Sequence, residues 1–471
     1  MRSFILILFC SWSFLLNGQE VKKEINTILS LKEFLELVRK YHPVAGQAEL
    51  TLKKAQAGVT RARGEFDPKL EFSYEGKEFL GSDYFDILKG GVKIPTWYGI
   101  EFNAGYEDTD GSFLNPQNFI PDDGRLFSAG VKVPLGEGLF INERMATLRK
   151  AKIFRELSVA EQKMQINKVL SDAGLSYFDW LKAHREFELY DEFLRNAEVR
   201  LEGVKNQVIR GDKAAIDSVE AGIVVKNRKL GLEQARLNYL KAQLKLSNFL
   251  WTANRIPVEL EPHVVPQEDI SGSVDEVLEI NMGIDDAFAL EQHPKIITLD
   301  QKIKVLEVEK KLKADKLKPR LDAYYNFLSS DAERINTFNT RDFKAGFKFS
   351  LGLFLRKERG EVKIAKYKIQ DAELDYRSEL LRLKNKITSE YNETLSVNEQ
   401  LIILDEIRKD YDLLLKAEER KFSLGESSVF LVNQREKTLL DTGLKQIEVE
   451  NKLFRAKVRL FNSLIITPGL P

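Results

Sequence analysis

Residues 66–74 read FDPKLEFSY, and the reading of the fold turns on them. Helix-forming residues run up to Pro68; beyond it, apolar Leu70, Phe72 and Tyr74 alternate with Glu71 and Ser73. Proline lacks the amide hydrogen that a continuing helix needs, and period-two alternation marks a strand with one apolar face. The stretch is a switch from helix to strand. The same punctuation returns in residues 318–325, KPRLDAYY, where Pro319 follows Pro68 by 251 residues.

The repetition extends along the chain. His42-Pro43 and His293-Pro294 each place their proline 25 residues before the strand proline. AGVKVPL (129–135) matches AGFKFSL (345–351) at an offset of 216, and GLF (138–140) matches GLF (352–354) at 214. The offset of 214 then holds for another hundred residues, pairing Gly211 with Gly425 and Leu246, Asn248 and Leu250 with Leu460, Asn462 and Leu464. The chain reads as two copies of one unit. Because the offset falls from 251 to 216 between strand-like stretches, the first copy carries about 35 extra residues there.

Prolines divide the copies. None occurs between Pro134 and Pro257 or between Pro319 and Pro468. Within those spans apolar residues step by threes and fours, as in Phe187, Tyr190, Leu194, Ala197, Leu201, Val204 and Val208. Such a heptad series predicts long helices, one of them over about 141–209, and Gly211 and Gly425 with their small polar neighbours predict reversals into return helices. Taken alone, these helices suit an ordinary coiled coil. The strands add something else: residues 100–107, 127–135 and 343–351 set aromatic and branched side chains on one face against Glu, Lys, Ser or Asn on the other. A barrel wall between lipid and water needs that pattern, and so does a soluble hairpin with one buried face. Residues 252–283, with three prolines and many acids, predict a linker between the copies.

Lys plus Arg equals Asp plus Glu at 72 each, so there is no basic field for nucleic acid and no acidic tail. Residues 1–18 have a basic start and an apolar run, the layout of a secretory signal peptide. The only cysteine, Cys10, falls inside it, so the mature chain is expected to use no disulfide or metal thiolate; the bulky Phe9 argues against a lipid anchor at Cys10. No other segment has the 18 or more apolar residues of a spanning helix. Membrane entry would therefore require a closed β-barrel.

No enzyme constellation emerges. His42, His184, His263 and His293 lack metal-ligand spacing, and His184 on its heptad face is expected to be a core or rim residue. There is no phosphate loop with lysine, no nucleophile elbow and no mature thiol. Acid pairs such as Asp285-Asp286 and Glu418-Glu419 suit helix starts or solvated faces. No catalytic residue, cofactor or metal is expected.

In order and in duplicate, these marks resemble the TolC-type outer membrane efflux protein family over about residues 29–464. The marks are His42-Pro43 and His293-Pro294 as Asn-Pro-like pairs, Pro68 and Pro319 before the first strand of each copy, Pro134-Leu135-Gly136 closing the last, and Gly211 and Gly425 at the turns. Departures are His for Asn in both pairs, Ser350 for a strand-end proline, and Leu424 for a small or polar residue. The resemblance implies a mainly α fold with a transmembrane β-barrel, in which three protomers share one barrel and build a tunnel of helical hairpins. Each protomer would give four or six strands, the extra two around 84–94 and 97–107. It implies a first repeat over 29–251 (strands about 69–135, hairpin about 139–251). A second repeat would cover 284–465, with strands about 320–351 and a hairpin about 354–465.

By the same resemblance the function is the exit duct of a tripartite efflux system, in the outer membrane of a Gram-negative cell with the helices in the periplasm. Its partners would be outer-membrane lipid, a periplasmic adaptor protein and an inner-membrane transporter. The adaptor is expected at Arg210, Gly211, Asp217, Leu424, Gly425, Ser427 and Ser428, and the barrel-to-tunnel boundary at Pro68, Pro134 and Pro319. Phe422, Val429 and Phe430 are expected to be exposed unless a partner or a neighbour covers them; the matching positions in the first copy are Val208, Ala215 and Ile216. Two alternatives stand beside this one: a type I protein secretion conduit on the same structure, and a secreted non-channel coiled-coil protein.

Overall fold

The computed structural model describes residues 28–120, 124–270, 272–280 and 290–465. The expected leader with Cys10, Asp285-Asp286 and the end of the linker lie outside the described residues. A short strand β1 (Ile28–Leu29) leads into α1 (Leu31–Tyr41), started by a reciprocal capping box between Ser30 and Glu33. His42 ends α1 and caps α2 (Pro43–Arg63), its Nδ1 accepting the Val44 N–H at 3.2 Å. Pro43 then sits at the first helical position, where its missing N–H costs nothing.

Four strands follow: β2 (Lys69–Phe79), β3 (Ser82–Pro95), β4 (Glu101–Asp110) and β5 (Arg125–Pro134). Then come the long helix α3 (Glu143–Ile209) and its return α4 (Ala215–Ser247). The linker supplies β6 (Val265–Pro266), parallel to β1, and one turn of helix, α5 (Val274–Val277). The second copy repeats the plan with α6 (Pro294–Asp315), β7 (Arg320–Ser329), β8 (Phe343–Ser350), α7 (Arg356–Ser423) and α8 (Val429–Leu464).

With 67 and 68 residues, α3 and α7 are each about 100 Å long at ~1.5 Å per residue. Each is flanked by two shorter helices, α2 and α4 against α3, and α6 and α8 against α7. Among the described residues no helix is long and apolar enough to cross a membrane. The largest core lies midway, where Tyr177, Phe178 and Trp180 of α3 meet Phe454 and Phe461 of α8, Leu31 and Phe34 of α1, and Val274 of α5. The Tyr177 hydroxyl donates to the Leu29 carbonyl at 2.9 Å and accepts the Gln267 N–H at 3.3 Å, which ties both ends of the β1–β6 strap to α3.

The six long strands form one antiparallel sheet in the order β2-β3-β4-β5-β7-β8. This settles the strand number: the extra residues of the first copy are β3 and β4, paired into the sheet along their length. The expected fourth strand is corrected at its start, because Trp97 sits in a tight turn before it. Thr96 N–H bonds the Ile100 carbonyl at 2.8 Å, and Gly99 takes a positive φ of 75°.

Candidate functional site

Register gives the sheet two opposite faces. Leu70, Phe72 and Tyr74 of β2 stand beside Val92, Gly90 and Leu88 of β3, which stand beside Ala104, Tyr106 and Asp108 of β4 in the order of their pairing. The same face continues through Phe127, Ala129 and Val131, then Tyr325 and Phe327, and ends on Phe343, Ala345, Phe347 and Phe349. It is almost wholly apolar and open: Phe72 is 73% exposed and Phe347 76%. The other face is polar and ion-paired across strands, Lys93 with Glu71 at 2.5 Å and Lys89 with Glu107 at 2.8 Å, while Asn103 donates to Asn326 at 3.0 Å. A large contiguous apolar surface left bare on a protein marks contact with lipid or with another protein.

Where sheet meets helix the chain is locked by backbone and polar bonds. Leu135 and Glu137 N–H groups reach the carbonyls of Leu321 and Pro319 at 2.7 and 3.0 Å, carrying the β5–β7 pairing past Pro134. Gly136 lies so near that a Cβ there would stand 2.0 Å from the Pro319 carbonyl oxygen, a backbone atom that cannot swing aside. The buried Asp315 carboxylate accepts the Gly138 N–H at 2.6 Å and pairs with Lys318. Asn142 caps α3 through the Met145 N–H and also donates to the Trp97 carbonyl. Pro134 and Pro319 thus meet in one junction, and Pro68 stands one residue before β2 at the same end of the sheet.

At the far end the two reversals are built alike. The N–H of Gly211 returns to the Val208 carbonyl and that of Asp212 to Gln207; Gly425 returns to Phe422 and Glu426 to Lys421. Both glycines have the left-handed backbone, φ 84° and 79°, that closes such a helix end. The following caps differ. Ser428 accepts the Leu431 N–H at the start of α8, whereas Ala214, its counterpart before α4, offers no side-chain acceptor. Arg210 pairs with Asp212 at 3.4 Å, Asp217 lies in the first turn of α4, and Ser427 donates to Glu418.

The two tips lie side by side. Lys213 of one stands 4.5 Å above the Phe422 ring of the other, and Glu220 faces Asn433. A neighbouring part of the chain covers some of these residues: Val429 is 2% exposed, packed with Val204 and Ala221, and Phe422 and Val208 are half-buried against the same cluster. The bare apolar residues are Phe430 and Ile216, as expected, together with Ile209 (82% exposed), Val219 and Leu424. Behind the tips lies a polar knot that spacing did not reveal. Arg200 of α3 reaches Glu436 of α8 at 2.8 Å and Glu419 of α7 at 3.1 Å, with Arg228 of α4 at 3.8 Å from the buried Glu436.

Comparison with known proteins follows this geometry. Residues 288–464 match the family model described as outer membrane efflux protein. No curated protein sequence matches the chain. Among solved structures, the fold is similar to the outer-membrane channel OprN, with a TM-score of 0.63 at 14% identity over 92% of this chain and 89% of that one. The Campylobacter jejuni CmeC outer membrane channel gives 0.63 at 14% identity, covering 92% and 85%. The open Neisseria gonorrhoeae MtrE outer membrane channel gives 0.65 at 12%, covering 92% and 88%. These likenesses are of fold, and at 92% of the chain they extend over both copies. The second copy thus matches the outer membrane efflux protein family over residues 288–464, and over 92% of the chain the fold is similar to that of solved outer-membrane channels.

Proposed function

We propose that three copies of this chain join their sheets into one outer-membrane barrel and their helices into a periplasmic tunnel, the exit duct of a tripartite efflux system. The observation that carries this reading is the sheet's division into a bare apolar face that runs through all six strands and a polar face ion-paired across β2, β3 and β4. Only a closed barrel satisfies the backbone of strands in lipid, and here β2 and β8 are left as free edges. Closure by β8 of one copy on β2 of the next would use three six-stranded sheets, eighteen strands in all. The two copies would divide near 252–283 into a first repeat over 29–251 and a second over 284–465.

On this reading Pro68, Pro134 and Pro319 mark the boundary of barrel and tunnel. The tips (Arg210, Gly211, Asp217, Leu424, Gly425, Ser427 and Ser428) receive a periplasmic adaptor that links the duct to an inner-membrane transporter. The bare Ile209, Ile216, Leu424 and Phe430 give an adaptor hairpin an apolar seat. The match of the second copy to an efflux family supports a conduit that performs no chemistry.

The test is membrane fractionation followed by planar-bilayer recording. The expected result is a protein extracted only by detergent that forms trimeric, ion-conducting pores. Release of native protein by salt alone would overturn the channel and favour a secreted coiled-coil protein.

A further inference from the structure

Away from both tips and barrel, one group of histidine and carboxylate side chains among the described residues has the spacing of a metal site: His184, Glu188 and Glu268. Their ligand atoms all lie within 4.8 Å of one another. His184 Nε2 stands 3.3 Å from Glu188 Oε1 and 3.9 Å from Glu268 Oε1. Donors about 2.1 Å from a tetrahedral Zn2+ stand about 3.4 Å apart, so the three atoms already lie near the corners such an ion requires.

The fold explains why they meet. His184 and Glu188 are one turn apart on the same face of α3. Glu268 arrives on the linker two residues beyond β6, and its backbone is held at two adjoining points. Tyr177 accepts the Gln267 N–H, and Arg185 donates to the Glu268 carbonyl. Arg185 sends its other terminal nitrogen to the Glu450 carboxylate.

His184 itself supplies the independent sign of a ligand. Its side chain is only 7% exposed, its Nδ1 has no hydrogen-bond partner, and its ring rests on Tyr239 at 5.2 Å. With Nδ1 unpartnered, the polar contacts of this buried ring are through its other nitrogen, Nε2, which is aimed at both carboxylates, and ionised carboxylates can only accept.

We propose that His184, Glu188 and Glu268 bind a divalent cation of the Zn2+ class, which clasps the linker strap onto α3. One imidazole nitrogen with two carboxylate oxygens suits Zn2+ better than Mg2+ or Ca2+, which take all-oxygen shells. Water fills the remaining position, as in sites with three protein ligands.

The test uses the full chain, free of any affinity tag, in detergent and treated with chelator, titrated calorimetrically with Zn2+ and separately with Mg2+. One Zn2+ per chain and a raised thermal midpoint are expected, with no response to Mg2+. Glu268→Gln, a change at a largely exposed side chain, should leave the metal-free midpoint unchanged and weaken Zn2+ by at least about tenfold. With Co2+ as probe, the wild type should show the intense visible band of a four-coordinate site, absent in His184→Gln. Should His184→Gln not fold, Glu188→Gln takes its place. Equal Zn2+ affinity in wild type and Glu268→Gln, or no stoichiometric binding, overturns the proposal and leaves an ion pair in its place.

Discussion

At the scale of single residues, two histidines do the work of asparagine caps. His42 and His293 each present Nδ1 to the N–H two residues on, both at 3.2 Å, which requires the neutral ring with its proton on Nε2. Burial holds both below the ordinary histidine value of 6.5; at His293, Lys295 and Lys386 push the same way against the Ser463 carbonyl and Glu379. The unfolded chain therefore binds more protons than the folded one just below that value. The stabilising contribution is full above about pH 6.5 and is lost as pH falls through the lower folded values. After correction for intrinsic rates, amide exchange in the first turns of α2 and α6 should accelerate over that acid range. A His42→Asn, His293→Asn protein should keep the caps and lose the acid dependence; the same dependence in that variant would refute the assignment. The tip glycines make a second prediction at this scale. Gly211→Ala or Gly425→Ala forces a Cβ into a left-handed backbone at about 1–2 kcal/mol, which should appear as faster exchange confined to the reversal.

At the scale of elements, the asymmetry of the caps is testable. Ser428→Ala should weaken the start of α8 by about 1 kcal/mol, and Ala214→Ser should strengthen the start of α4 by a similar amount. Limited proteolysis at the two tips reads both, and equal effects of opposite sign are the expected result. Deeper in, Glu436→Ala takes the buried carboxylate from Arg228 and leaves Arg200 to Glu419, a loss of about 3 kcal/mol by the cost of orphaning a buried charge. It should expose α8 near the tip to cleavage, and unchanged cleavage would show the knot to be dispensable. Much of this level was legible in the sequence. Alternation in FDPKLEFSY and its twin marked the strands, and their proline-free neighbours marked the long helices, because both signals are local and periodic. What escaped was long-range or terminal. The Trp97 turn interrupts a strand-like pattern through Gly99; Val429 is buried by Val204 from a helix far away in sequence; Arg200 and Glu436 are 236 residues apart. Glu268 likewise reaches His184 only because a strap crosses α3.

At the scale of the whole molecule, the extra hairpin is the distinguishing feature. Deleting residues 83–117 removes most of β3 and β4 and would let β2 pair with β5, as β7 pairs with β8 in the second copy. Barrel diameter grows about linearly with strand number. Images of the proposed trimer should therefore show a barrel about a third narrower, with the helical part unchanged. An unaltered barrel diameter would mean that the hairpin stands outside the wall.

That hairpin adds strands to the sheet and no helix; α2, α3 and α4 of the first copy correspond to α6, α7 and α8 of the second. In cross-section, the proposed barrel would be about twice as large as one of four strands per copy, while the duct beneath it would be no wider. Resistances in series add, so the narrowest stretch sets the current. An enlarged mouth on an unenlarged stem gives a funnel whose electrical resistance resides in the helices. Single-channel conductance should then hardly change when the hairpin is removed, and should respond instead to substitutions that loosen the tips.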